Sequence, residues 1–205
     1  MNTLSVAKAI KERYDPKYTF IVGIDGLGGA GKSTISESIC DLLCSEKYNV
    51  TILHIDDFIH PRNIRYNDNY PEWECYYNLQ WRYDYLKNDI IKPMKNGSDF
   101  IGDIELYDKD HDSYFSQNIY VPNGSIVIIE GIFLQRQELK GIFDFMIYID
   151  VPQEIRLDRV LERDGYIGNK DQIKEKYDNR YFPAEHHYVN TCMPEANADY
   201  IIRSL

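Results

Sequence analysis

The stretch GIDGLGGAGKSTI, residues 23–35, packs five glycines, one lysine and two hydroxyls into thirteen positions. Glycine gives up more conformational entropy on ordering than any other residue. Such a density persists only where the backbone itself must approach something that a side chain would block. Upstream, YTFIVGID (18–25) is a continuous apolar run, the pattern of a strand buried on both faces. Downstream, residues 32–47 read as a helix. Buried strand, glycine turn and helix open a βαβ unit, and that beginning commits the chain to an α/β fold.

Within the turn, Gly26-Leu27-Gly28-Gly29-Ala30-Gly31-Lys32-Ser33 fits G-x-x-x-x-G-K-[ST], the Walker A or P-loop pattern. Small residues let consecutive backbone N–H groups curl around phosphate oxygens, and the positive end of the helix points at the same anion. Lys32 adds a full charge at the β- and γ-phosphates, and the Ser33 hydroxyl is placed to ligate Mg²⁺. Gly26, Gly28, Gly29, Ala30, Gly31, Lys32, Ser33 and Thr34 are therefore the expected nucleotide-binding set. A guanine reader would be N-K-x-D. The nearest match, NKDQ at 169–172, has its aspartate one place early, so ATP is the expected nucleotide.

Four more strand-like runs follow: NVTILHID (49–56), SIVIIEG (125–131), FDFMIYIDV (143–151) and ADYIIR (198–203). With helices over 78–95 and 152–164, they predict a P-loop NTPase-type, doubly wound, mostly parallel sheet of about five strands with helices on both faces. A length of 205 residues suits one domain spanning 1–205, and no repeat or linker divides it. Residues 59–77 and 98–118 break the pattern; they read as insertions at the sheet edge, serving either as a substrate pocket or as ordinary surface loops.

The net charge of −10 argues against a nonspecific nucleic-acid binder. The longest apolar run, 126–134, contains Glu130 and is too short to span a bilayer. The polar amino-terminal segment lacks a signal peptide's apolar core. Cys40, Cys44, Cys75 and Cys192 show no metal-ligand spacing and read as free thiols in a reducing cytosol. The expectation is a cytoplasmic protein acting on a small molecule, alone or as a homo-oligomer.

Carboxylates cluster where such a sheet binds its ligands. In HIDDFIHP (54–61), Asp56 and Asp57 follow the carboxyl end of the second strand. A carboxylate there can take the proton of an attacking hydroxyl, although an Asx turn or a helix cap is the plainer use of the pair. Glu130 ends another buried strand, where it either joins Ser33 and Asp57 around a magnesium ion or is a core acid satisfied by amides. In EIRLDRVLERDG (154–165), Arg156, Arg159 and Arg163 recur at helical spacing. They either make i,i+4 ion pairs or, for Arg159 and Arg163 above all, reach back onto the transferring phosphoryl group.

Taken with YYNLQWRYDYL, LYDKDHDS, IIEGIFL, YIDVPQEIRLDRVLERD and CMPEANADYII, these motifs resemble the uridine kinase/phosphoribulokinase group of P-loop kinases over nearly the whole chain. The resemblance implies ATP- and Mg²⁺-dependent phosphorylation of a hydroxyl on a small nucleoside-like or sugar-like substrate, beneath a short lid at about 152–180. It places Asp56 as the catalytic aspartate, Lys32, Arg159 and Arg163 around the phosphates, and Phe58, Tyr77 and Tyr107 in the substrate pocket. Asn78 stands where uridine kinases carry a ribose-gripping aspartate, and Ile59 replaces their tyrosine. The pocket histidine becomes His111, one place displaced, or is replaced by Asp112. A nicotinamide riboside kinase-like or pantothenate kinase-like enzyme, or a nucleotide-binding protein whose catalysis has decayed, are the other readings.

Overall fold

The computed structural model describes residues 3–203. In chain order the strands are β1 (Phe20–Gly26), β2 (Val50–His54), β3 (Phe100–Asp108), β4 (Ser113–Val121), β5 (Ile126–Gly131), β6 (Phe145–Asp150) and β7 (Tyr200–Arg203). The main helices are α1 (Thr3–Arg13), α2 (Lys32–Ser45), α3 (83–94), α4 (Gln153–Arg163) and α5 (170–192). The main sheet runs β2-β5-β1-β6-β7, and every neighbouring pair is parallel.

Alternation along the buried strands sorts side chains into two cores. Phe20, Val22, Ile24, Ile126 and Ile128 face α1 and α2, meeting Val6, Ile10, Ile35, Ile39 and Leu43. Ile21, Val127 and Ile129 point the other way, toward Leu86, Ile90 and Ile91 of α3 and Tyr188 of α5. Each fully buried aliphatic side chain of this kind contributes about 1.5–3 kcal/mol. The apolar runs are continuous because both faces are covered. The sheet is thus doubly wound, as its sequence pattern predicts.

Two expectations are corrected. Residues 98–118 are not irregular: β3 and β4 form an antiparallel hairpin from Phe100↔Val121 to Asp108↔Ser113. Only Ile104, Tyr107 and Val121 bury against the sheet core, so alternation is weak and the composition stays polar. The helix expected over 78–95 starts late, at residue 83. Residues 80–82 instead pair with 58–60, through His60 N–H to the Gln80 carbonyl at 2.8 Å and Arg82 N–H to the Phe58 carbonyl at 2.9 Å. Those bonds tie the segment after β2 to the helical residues 72–79 and build one wall of the site.

Candidate active site

Gly29 and Gly31 adopt φ of +77° and +90°, the left-handed region that L side chains rarely enter. A Cβ on Gly29 would also stand 2.8 Å from the Arg156 carbonyl oxygen. The loop is held from outside. Arg156 Nη1 donates to the Gly28 carbonyl at 3.0 Å and to Glu185 Oε2 at 2.8 Å, while Gly28 N–H donates to Glu185 Oε1 at 2.9 Å. Arg159 Nη1 donates to the Gly29 carbonyl at 3.2 Å, and Lys32 Nζ to the Leu27 carbonyl at 3.1 Å. Below the loop, buried Asp25 accepts from Gly26 N–H at 2.8 Å, Gln135 Nε2 at 3.1 Å and the Tyr188 hydroxyl. Arg156 is therefore a staple of the loop, and Arg159 also spends its guanidinium on loop carbonyls.

The loop opens onto a cleft of about 630 Å³ whose walls include Lys32, Asp56, Tyr107 and Arg163. Asp56 lies in the single turn Ile55–Asp57 that follows β2. Its side chain is exposed and lines the cleft, yet the protein crowded around it raises its carboxyl above the ordinary value by desolvation, while Lys32 pulls it back. Arg163, which also lines the cleft, has its Nε tied to Asp164 at 2.6 Å.

Parallel pairing sets His54 against Glu130, and His54 Nδ1 meets Glu130 Oε1 at 2.6 Å. Ser33 Oγ donates to the same oxygen at 3.0 Å. Burial alone would raise Glu130; the His54 bond, the Lys32 charge and the Ser33 bond outweigh it and hold the carboxyl below its usual value. A hydroxyl and an ionised carboxylate in contact, beside the phosphate loop, fit the one or two protein oxygens that Mg²⁺ takes when phosphates and water supply the rest. Asp57 does not join them. It is half-buried, raised by that burial, and among the described residues makes no hydrogen bond. Thr34 is exposed at the start of α2.

Four expected substrate residues lie elsewhere. Phe58 is fully buried against Tyr85, because its backbone pairs with residue 82 and turns the ring into the core. Tyr77 is buried among Phe133, His187 and Arg136. Asn78 is exposed, outside the cleft. His111 points to solvent and pairs with Asp108 at 2.7 Å. Tyr107 does line the cleft; its hydroxyl donates to Asp112 at 2.6 Å and accepts from Arg65 Nη2 at 2.7 Å.

The structure brings in residues that the sequence reading left out: Arg65, Tyr76, Gln80, Lys109, Lys176, Arg180 and Glu185. Tyr76, on the helical residues 72–79, and Gln80, just past their end, face the cleft, whereas Tyr77 turns into the core and Asn78 to solvent outside it. Arg65 follows Arg62 by three in HPRNIR, a spacing that was legible; Arg180 and Glu185, in RYFPAE, belong to no motif recognised beforehand.

The family model described as Phosphoribulokinase / Uridine kinase family matches residues 21–205. A uridine kinase of Staphylococcus haemolyticus is 24% identical over 196 residues, covering 88% of this chain and 90% of that one. A uridine kinase of Staphylococcus aureus is 29% identical over 156 residues, 72% of this chain and 70% of the other. Among solved structures, one described as a possible uridine kinase from Bacillus stearothermophilus superposes with a TM-score of 0.80 at 28% identity, covering 98% of this chain and 97% of that one.

Proposed function

The chain belongs to the phosphoribulokinase/uridine kinase family of ATP-dependent kinases, and from that premise we propose that it transfers the γ-phosphate of ATP to a hydroxyl of a small nucleoside-like or sugar-like acceptor. The observation that carries this reading is that Asp56 shares one cleft with Lys32 of the phosphate loop. The acceptor hydroxyl attacks the γ-phosphorus, and its proton passes to Asp56. Lys32 balances the charge on the transferring group, with Arg163 lining the same cleft. Ser33 and Glu130 would hold Mg²⁺, which when bound draws charge from the phosphate oxygens. No covalent intermediate is needed; positioning and fixed charge supply the rate.

The basic lining of the cleft counts against a cationic acceptor of the nicotinamide riboside kind. Uridine itself loses the ribose grip expected near residue 78, since Asn78 lies outside the cleft. The test is Asp56→Asn. It should lower kcat by about 10²- to 10⁴-fold, the usual worth of a positioned base, with little change in the Kd of a non-hydrolysable ATP analogue. Near-wild-type turnover in that variant would remove Asp56 from the role.

A further inference from the structure

Three arginines are buried among the described residues, and they differ in one respect. Arg136 pairs with Glu138 and Arg156 with Glu185. Arg180 is 1% exposed and meets no carboxylate within ion-pair distance. Its guanidinium donates to neutral acceptors, Gln80 Oε1 at 3.1 Å and the Glu72 carbonyl at 3.2 Å, and lies 4.5 Å from the Tyr66 ring centroid. A guanidinium has five donors and cannot shed its charge, so burying it without a counter-ion is strongly unfavourable. Yet Arg180 lines the cleft, where a ligand could supply that counter-ion.

Arg65, partly buried, likewise makes no ion pair within 4 Å, although Asp112 lies near it across the Tyr107 hydroxyl. Nη2 is spent on Tyr107, but Nε is buried without a hydrogen-bond partner. Lys176, one turn before Arg180 on α5, lines the same space and also lacks an ion pair among the described residues. None of the bonds that anchor Arg65 or Arg180 reaches the phosphate loop, which has its own cations in Lys32 and Arg159.

We propose that the acceptor carries an anionic group, a carboxylate or a phosphate, besides the hydroxyl it presents to Asp56, and that Arg180, Arg65 and Lys176 bind that group. The inference rests on the kinase reading above. In the reaction the acceptor oxygen bonds to the γ-phosphorus as the bond to the β,γ-bridging oxygen breaks. ADP leaves with that electron pair, and the hydroxyl proton goes to Asp56.

The test joins turnover to binding. ATP consumption is followed with three acceptor pools: neutral polyols and nucleosides, sugar acids, and sugar phosphates, the last two separating carboxylate from phosphate. Binding of whichever acceptor is turned over is then measured on protein saturated with Mg²⁺ and a non-hydrolysable ATP analogue, which fills the phosphate loop. Turnover should be confined to an anionic pool, and Arg180→Met and Arg65→Gln should each raise the acceptor Kd by about 10- to 100-fold, the worth of a charge-assisted hydrogen bond. Arg65 is only partly buried, so its variant keeps the test open should Arg180→Met not fold. A neutral acceptor used as well as any anionic one overturns the inference and leaves the kinase reading standing. An anionic acceptor whose Kd neither variant moves overturns the assignment to these arginines. Failure on every pool by protein that binds the ATP analogue overturns the kinase reading, and the inferred acceptor with it.

Discussion

A carboxylate that must act as a base gains from being slightly hard to ionise, and Asp56 sits where that holds. Desolvation raises it, while Lys32, Lys109 and Arg163 pull it down. Because the base must be deprotonated, a raised carboxyl means that kcat/KM falls on acidification at a pH above the ordinary aspartate value of about 3.9. Removing one nearby cation should move that limb further up. Lys109→Met is the clean choice, since Lys109 makes no ion pair among the described residues, and a pH–rate profile unchanged by it would dissociate the limb from Asp56. His54 tests the neighbouring acid. The Glu130 hydrogen bond raises His54 against the opposing push of burial. A folded-state value above the unfolded one, about 6.5, stabilises fully below that pH and fades as pH climbs through the folded value. Melting of ligand-free His54→Gln should therefore differ from wild type most near pH 6 and least above pH 8. The exposure of the His54 side chain limits the difference to roughly 1 kcal/mol.

Between elements, the Arg156–Glu185 pair joins α4, α5 and the phosphate loop in one contact, with both side chains at most 4% exposed. Arg156→Ala should cost about 3–5 kcal/mol, because it strands a buried carboxylate. Adding Glu185→Gln should return part of that loss, measured as Tm in a double-mutant cycle. If the double variant melts no higher than the single one, the loss lies in packing rather than in an orphaned charge. Strands β1, β5 and β6 were legible because a strand covered on both faces is apolar at nearly every position, and the part-buried edge strands β2 and β7 because each keeps an aliphatic centre. The loop was legible because its glycines answer to backbone geometry within a few residues. The β3–β4 hairpin buries only part of one face and leaves a faint period. Phe58 and Tyr77 were misplaced because the 58–60 and 80–82 pairing, a long-range contact, decides which way they face. Arg180 and Glu185 find their partners on distant segments, Gln80 and Gly28, which no local spacing announces.

At the scale of the molecule, two fields oppose each other. The cleft lining holds seven basic and three acidic side chains, a local excess of positive charge within a chain of net charge −10. An anionic ligand is therefore repelled by the whole and attracted by the mouth of the site. Screening decides which it feels. The Debye length is about 30 Å at 0.01 M salt, comparable with the molecule, so the overall negative charge dominates the approach. At about 0.1 M it is roughly 10 Å, the far field is gone, and the cleft's own charge remains. At about 1 M it is near 3 Å and both are lost. The association rate of an ATP analogue, followed by stopped flow, should accordingly rise and then fall with ionic strength, with its maximum near 0.1 M. A rate that falls steadily from the lowest salt would mean that the cleft field governs the approach at every range. A rate that only rises would mean that the cluster around Arg180 and Arg65 is neutralised within the protein, which would also remove the electrostatic basis for an anionic acceptor.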